Sequence, residues 1–284
     1  MKTKKILVAT ELDELSENVT EFAISVAKQL SISEIVLLNV IKPVHPQSFS
    51  ATGDGQLSDG QRIDRFNAEL MRKHLTLVES EANKFSTDKV MIKAYVRFND
   101  SKTDLNDYIE YFNAGLVVFG SRDEDNFLNQ IFGIDSEELV RKIDYPAIIL
   151  KDKTNFGVIK DILVAIDVSE NDQSGLKDIA QFAEFTEAKM HLLHVVIDGE
   201  VSPDDSVEKL SNLAKEYELA NYTINVVNNT NLEDGIKSFV RKNSPDMIAV
   251  QSQGKGKIRK LIFGSGTQNI IKEVDKPVFV SKIS

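Results

Sequence analysis

A segment near the end of the chain carries residue types that bind phosphate groups. Gly254 is followed, after nine residues, by Gly264-Ser265-Gly266-Thr267 and then by an apolar pattern with helical spacing. Glycines allow a main chain to approach a ligand without a Cβ in the way. A Gly-Ser-Gly-Thr segment that enters a helix offers free N–H groups, two hydroxyls and the positive end of the helix dipole. The spacing therefore predicts a phosphate site.

The nine residues between the two glycine segments are rich in basic side chains. They include Lys255, Lys257, Arg259 and Lys260, in a chain whose formal net charge is −10. Such charges suit a polyphosphate. Two plainer interpretations stay open, because a charge run is commonly a solvated face and Ser and Thr are common helix caps.

An internal repeat places this segment within a domain. Residues 6–11 read ILVATE and recur as ILVAID at 162–167, at an offset of 156. Residues 37–40 read LLNV and recur as LLHV at 192–195, at an offset of 155. Self-similarity of this kind indicates a duplicated structural unit.

The later landmarks of the two halves pair at a smaller offset. Gly133 matches Gly264 and Pro146 matches Pro277, both at an offset of 131. The first half therefore carries about 24 more residues than the second (155 − 131). We assign most of the excess to a loop at 42–61, because prolines, glycines and small polar residues concentrate there.

Each half alternates predicted strands with amphipathic helices, and the β-α-β order favours a mainly parallel sheet with helices on both faces. We predict two tandem, doubly wound, Rossmann-like α/β domains of five strands each, at residues 1–151 and 160–284, joined by a polar linker. The short apolar last strands, at 147–150 and 278–280, would be exposed edges if left unpaired. We expect these strands to meet within the chain as an intramolecular pseudo-dimer.

Composition limits the class of protein further. The 284 residues are 42% hydrophobic and 27% charged, with no cysteine, which is typical of a globular chain without disulfides. The negative net charge disfavours binding to nucleic acid or to an anionic membrane. The sequence lacks a long apolar run, so we expect a cytoplasmic location.

Catalytic and metal-binding patterns are absent from the sequence. It contains no Gly-x-Ser-x-Gly, no phosphate loop ending in Gly-Lys-Ser/Thr, and no Gly-x-Gly-x-x-Gly after the first strand. His194 lies within an apolar strand and is interpreted as a buried, hydrogen-bonded residue rather than a base. We therefore predict no catalytic residues, no metal site and no enzyme activity.

The combined pattern resembles the universal stress protein family over nearly the whole chain. It consists of a strand ending in Asp, a strand ending Leu-Leu-His-Val, and Gly-x2-Gly-x9-Gly-Ser before the last helix. The resemblance implies an adenine-nucleotide site in some members and none in others. Carried over to the second half, the ATP-binding residues would be Asp167, Val195, Val250, Gly254, Gly264, Ser265, Gly266 and Thr267. Gln251 departs from the pattern, since it replaces the first glycine and adds a side chain near the phosphates.

The first half departs further from the pattern. Glu11 replaces the strand-one Asp, while Asp123, Ile134 and Asp135 stand in the phosphate region. A like charge at 4 Å costs about 1 kcal/mol in water and about 4 kcal/mol at an effective dielectric of 20. We therefore expect the first half not to bind a triphosphate.

The resemblance implies a stress-response or regulatory protein that binds ATP in its second half and acts on an unidentified protein partner. Two other functions remain open: a nucleotide-free interaction scaffold, and a slow ATPase. A homodimer of the whole chain is also open. Function depends on the site rather than the fold, so fold alone does not separate these alternatives.

Overall fold

A computed structural model of the protein describes residues 5–44, 59–99, 104–120, 143–151, 154, 156–197, 201–251 and 274–282. The helices predicted to precede the last strand of each half lie outside these residues. No helix among those described has the length and apolar character needed to cross a membrane.

The first half forms strands from short apolar runs and helices from amphipathic segments, as the repeat predicts. The Asp13 side chain accepts a hydrogen bond from Ser16 N at 2.8 Å and so fixes the start of the first helix. The elements are β1 (Lys5–Ala9), α1 (Glu14–Gln29), β2 (Glu34–Ile41), α2 (Asp59–Phe85), β3 (Met91–Phe98), α3 (Leu105–Phe112), β4 (Leu116–Gly120) and β5 (Ala147–Leu150).

The second half repeats this order. Ser202 caps one helix by accepting from Asp205 N at 3.1 Å, and Pro203 occupies the first turn, where its missing N–H costs nothing. The elements are β6 (Asp161–Ala165), α4 (Leu176–Thr186), β7 (Lys189–Val196), α5 (Pro203–Glu216), β8 (Tyr222–Asn228), α6 (Leu232–Asn243), β9 (Met247–Gln251) and β10 (Val278–Ser281).

All ten strands belong to one sheet, in the order β3-β2-β1-β4-β5-β10-β9-β6-β7-β8. Each half contributes five parallel strands in the same relative order, which confirms the doubly wound class. The two halves meet where β5 and β10 pair antiparallel, with Ile148 opposite Phe279. The expected pairing of the two last strands is therefore present within the chain.

The excess length of the first half is divided between a connection and a helix. Seventeen residues (42–58) separate β2 from α2, against six (197–202) between β7 and α5, and α2 has 27 residues against 14 in α5. The prediction of a loop through residue 61 was wrong, because α2 begins at Asp59.

Side chains alternate between the two faces of the sheet. Ile162 and Val164 of β6 belong to the core that packs beneath α1, α2, α4 and α5, and we call this side the α1/α4 face. Leu163 and Ala165 belong to the core beneath α3 and α6, which we call the α3/α6 face. Both cores are continuous across the two halves.

The segment predicted as a polar linker is packed against the first half. Phe156 contacts Phe22 of α1 edge to face, with ring centroids 5.3 Å apart. Gln29 makes two hydrogen bonds to the main chain of Ile159, at 2.9 and 3.0 Å. At its other end, Asp246 accepts two main-chain N–H groups. The linker is thus held by both halves.

Candidate functional site

The order of strands in the second half reverses between β6 and β9. From β6 the chain proceeds to β7 and β8, and then returns to β9 on the other side of β6. Ala165 pairs with Leu193 of β7, and Val164 pairs with Ala249 of β9. In open parallel sheets, ligands bind beyond the carboxyl ends of the strands at such a reversal. The candidate site therefore lies beyond the carboxyl ends of β6 and β9.

Asp167 follows β6 at this reversal. Its Oδ1 accepts hydrogen bonds from Ser169 N at 3.0 Å and from the Ser169 hydroxyl at 2.6 Å. Its main-chain oxygen accepts from Glu170 N at 3.1 Å, which closes a turn. The hydrogen bonds to its carboxylate from described residues use Oδ1, and the side chain is partly exposed. One carboxylate oxygen holds the turn, and the other is suited to accept a hydrogen bond from a ligand hydroxyl.

Val195 of β7 and Val250 of β9 both belong to the core of the α3/α6 face, and their exposed fractions are 3% and 0%. Helix α6 covers Val195 closely, because a Cβ built on Gly235 would lie 2.6 Å from Val195 Cγ1. A ligand at this position would therefore meet the main chain of Val195 rather than its methyl groups. The assignment of these two valines to a nucleotide site remains a prediction.

Gln251, the departure from the family pattern, is directed toward the α1/α4 face. It continues the alternation of Met247 and Ala249, which belong to the core of that face. Its amide Nε2 donates to Gln173 Oε1 at 2.5 Å, and Gln173 Nε2 donates to the main-chain oxygen of Asp167 at 2.8 Å. Val250 faces the opposite side of the sheet, so Gln251 does not lie over the two valines.

The remaining predicted site residues are Gly254, Gly264, Ser265, Gly266 and Thr267. They lie outside the described residues, between the end of β9 and Val274. The strand order therefore places Asp167, Val195 and Val250 at the same end of three adjacent strands. The phosphate-binding role of the glycine segment remains a prediction.

The first half contains a buried polar network that motif analysis did not identify. The Thr20 hydroxyl donates to Glu81 Oε1 at 2.8 Å, and the Thr10 hydroxyl donates to Glu81 Oε2 at 3.4 Å. Glu81 is 8% exposed and both threonines are fully buried. Burial raises the pKa of the Glu81 carboxyl above its ordinary value, although the two hydroxyl donors act in the opposite direction.

The second half replaces this network with apolar residues. At the repeat offset of 156, the counterparts of Thr10 and Thr20 are Ile166 and Leu176. Alignment of the buried residues Val78 and Ala82 with Leu210 and Ala214 makes Leu213 the counterpart of Glu81. Ile166, Leu176 and Leu213 pack in the core of the α1/α4 face. Comparing the two halves position by position would have revealed the network, since only one copy places polar residues there.

His194 is the counterpart of Asn39 in the first half. It is buried and hydrogen-bonded, as predicted, but through one of its two ring nitrogens. It is 5% exposed, and its Nδ1 hydrogen bonds to Ile166 O at 3.0 Å, as Asn39 Nδ2 does to Thr10 O at 2.8 Å. Its Nε2, however, is buried without a partner among the described residues. Asn39 uses its other end to contact His74 Nδ1 at 2.8 Å.

No group of three or more His, Asp or Glu side chains in the described part of the chain is arranged to hold a metal ion. His191 does have an acidic neighbour, because its Nε2 lies 2.8 Å from Asp161 Oδ1. Its Nδ1 lies 2.9 Å from the Thr223 hydroxyl. These contacts link β6, β7 and β8 at the end of the sheet opposite the candidate site.

A doubly wound unit of five strands occurs twice in the sheet, and its strand order reverses between β1 and β4 and again between β6 and β9. This arrangement defines a tandem Rossmann-like α/β fold. The sequence model of the Universal stress protein family matches residues 2–151 and again residues 159–282. The chain therefore belongs to the universal stress protein family, with the family domain present twice.

Individual relatives are distant. A universal stress protein E homolog of Haemophilus influenzae is 22% identical over 170 residues, covering 60% of this chain and 54% of the relative. A universal stress protein of Methanocaldococcus jannaschii is 26% identical over 153 residues, covering 43% of this chain and 94% of the relative. The match thus spans about half the length of the first relative. A solved universal stress protein of Archaeoglobus fulgidus has a TM-score of 0.63 at 19% identity, covering 99% and 96% of the two chains.

Proposed function

We propose that this protein is a regulatory universal stress protein that binds one ATP in its second half. The observation that carries the proposal is the reversal of strand order between β6 and β9. It brings Asp167 next to the end of β9, from which the chain continues into the glycine segment of Gly254 to Thr267. In this proposal the Asp167 carboxylate binds ribose hydroxyls and the main-chain N–H groups of the glycine segment bind the phosphates.

Contrast between the two halves supports assignment of ATP to the second. The second half keeps Gly254 and Gly264 with two hydroxyls, whereas the first half has Asp123 and Asp135 at the matching region. Added carboxylates repel a triphosphate and would remove much of a micromolar affinity, which is about 8 kcal/mol. The first half then serves as a pseudo-dimer partner, joined to the second through β5 and β10.

A nucleotide-free scaffold is the second candidate function. It is favoured by Gln251, which stands at the position where the family pattern has a glycine. The Gln251 side chain is 8% exposed and fills the space beside Gly175. A side chain fixed there by Gln173 restricts how the start of the phosphate segment can move. ATP binding separates the two functions. For both functions we propose a regulatory rather than a catalytic role. We also propose that the protein is cytoplasmic.

Thermal unfolding with and without ATP tests the proposal. A ligand that binds only the folded state stabilises it by RT ln(1 + [L]/Kd), about 2.7 kcal/mol at a hundredfold excess over Kd. We expect ATP with Mg²⁺ to raise the melting temperature, and inorganic triphosphate without the nucleoside to raise it less. An unchanged melting temperature at millimolar ATP would support the scaffold instead.

A further inference from the structure

A cluster of one arginine and three aromatic rings joins the outer strand of the first half, β3, to the end of helix α3. The Arg97 guanidinium lies 5.7 Å from the ring centroid of Tyr95 and 5.8 Å from that of Tyr111. Both tyrosines also contact Phe112, at centroid distances of 4.5 and 4.9 Å. We call these four residues the Arg97 cluster. Its rings hold the guanidinium in a fixed orientation.

The positive charge of Arg97 has no carboxylate partner among the described residues, although the chain contains 44 Asp and Glu residues. Its Nη1 donates a hydrogen bond to the main-chain oxygen of Val96, at 3.0 Å. The guanidinium therefore has N–H donors left over, and Tyr111 beside it is 71% exposed. A planar, oriented guanidinium with free donors is suited to donate two parallel hydrogen bonds to one carboxylate.

The cluster lies next to main-chain groups that can extend the sheet. Strand β3 is the first in the strand order and pairs with β2 on one side. Met91 N and Asn99 N donate to the β2 side, to Ser33 O and Ile41 O, so the odd-numbered N–H groups point toward β2. The N–H groups of Ala94 and Val96 then point toward the outer edge. An extended peptide can add to such an edge as a further strand.

Strand β8, at the opposite edge of the sheet, lacks this combination of side chains. Register places Leu37 opposite Ala94 and Leu192 opposite Ile224, so Ala94 and Ile224 are equivalent. The counterparts of Tyr95 and Arg97 are then Asn225 and Val227, and strand β8 carries no charged residue. Arginine and tyrosine are enriched at protein interfaces and at their energetic centres. Among the described residues of the two outer strands, an arginine and a tyrosine on the same face therefore occur together on β3 and not on β8.

We propose that the β3 edge and the Arg97 cluster bind an extended, acidic segment of a partner protein. Charge complementarity favours an acidic segment, because the Arg97 guanidinium has no carboxylate partner among the described residues, whereas Lys93 on the same side of β3 is paired with Glu34 at 2.8 Å. A second copy of the chain fits less well. Antiparallel pairing of two β3 strands about Tyr95 would place Arg97 opposite Lys93 of the other copy, so the guanidinium would meet no carboxylate there.

Fluorescence anisotropy with a labelled octapeptide of alternating valine and glutamate tests the charge requirement. We expect this peptide to bind the full chain, and Arg97→Gln to weaken binding at least tenfold while leaving the melting temperature unchanged. A matched peptide with lysine in place of glutamate should not bind. Absence of binding by the wild type, equal binding by Arg97→Gln, or equal binding of the lysine peptide would overturn the proposal.

A proline substitution tests the edge separately. Ala94→Pro removes an outward N–H group without removing a hydrogen bond to β2, so it should abolish peptide binding in a folded protein. Ile224→Pro, at the equivalent position of β8, is the matched control and should bind as the wild type does. Equal loss in both variants, or binding of an oligonucleotide that depends on Arg97, would contradict an acidic peptide at the β3 edge.

Discussion

The side-chain amide of Gln251 lies 2.5 Å from the side-chain oxygen of Gln173, and this hydrogen bond joins the end of β9 to the loop that follows β6. Gln173 then donates to the main-chain oxygen of Asp167 at 2.8 Å and to that of Glu170 at 3.2 Å. Both glutamines are more than nine-tenths buried. Two segments that flank the candidate nucleotide site are therefore connected through one pair of amides.

Gln251→Gly restores the glycine of the family pattern, but we expect it to lower the stability of the protein. It leaves a cavity beside Gly175 and removes the donor to the buried Gln173 oxygen. An unsatisfied buried polar group costs about 1–3 kcal/mol. Urea unfolding should show a loss of that order. Stability equal to the wild type would mean that the amide pair contributes nothing.

The space beside Gln251 can be tested from the other side with Gly175→Ala. A Cβ at Gly175 would lie 2.9 Å from Gln251 Oε1 and 3.2 Å from the main-chain oxygen of Lys282. We expect Gly175→Ala to destabilise the wild type and to cost less in the Gln251→Gly background, because one of the two close contacts is then absent. Strict additivity in this double-mutant cycle would show that the two sites do not interact.

The buried carboxyl of Glu81 predicts a pH dependence of stability. Its pKa is raised above the ordinary value of 4.5 mainly by burial, so the folded state binds this proton more tightly than the unfolded chain does. Its contribution to stability is therefore complete below the unfolded pKa and declines as pH rises through the raised folded pKa. Glu81→Gln should remove this decline, as followed by urea unfolding at several pH values between about 5 and 8.

The exposed neighbour Glu79 provides the matched control for that measurement. Glu79→Gln should leave the slope of stability against pH as it is in the wild type. A slope that Glu81→Gln does not alter would show that Glu81 is not the titrating group. Replacing Glu81 together with Thr10 and Thr20 by Leu, Ile and Leu, the residue types of the second half, should also remove the decline.

The contact between Gln29 and Ile159 predicts that the linker contributes to the stability of the whole chain. Gln29→Ala removes two hydrogen bonds to the linker main chain, each worth about 1 kcal/mol. We therefore expect a loss of about 2 kcal/mol in urea unfolding. Gln181→Ala on α4 is the control and should have a smaller effect. Equal losses in the two variants would mean that the linker contacts contribute little.

The duplication and the doubly wound class could be predicted from the sequence, because they depend on local periodicity and on two repeat offsets. The last strand of the first half was predicted at 147–150 and is observed there. The docking of Phe156 on Phe22 could not be predicted in the same way, since it joins residues that are distant in sequence. The start of α2 at Asp59 was missed because Gly60 was interpreted as a loop residue.

Site prediction from sequence was limited by side-chain direction. Asp167 and the strand reversal could be anticipated from the pattern, but not the direction of Gln251, because the pleat places it on the α1/α4 face and Val250 on the other. The same limit applies to Val195, whose burial against Gly235 depends on how α6 packs. Gln173 and Glu81 carry no motif, and their roles became visible through their hydrogen bonds.

Calorimetric titration of ATP into the full chain tests the central claim most directly. We expect one ATP per chain, and no detectable binding when Gly264→Val blocks the approach of phosphate to the main chain. Ser265→Ala should weaken binding by about 1 kcal/mol, the net value of one hydrogen bond, and Ser265→Asp should weaken it more because it adds a negative charge beside the phosphates. Two ATP per chain, or wild-type affinity in Gly264→Val, would contradict a single site in the second half, and no heat with the wild type would contradict nucleotide binding altogether.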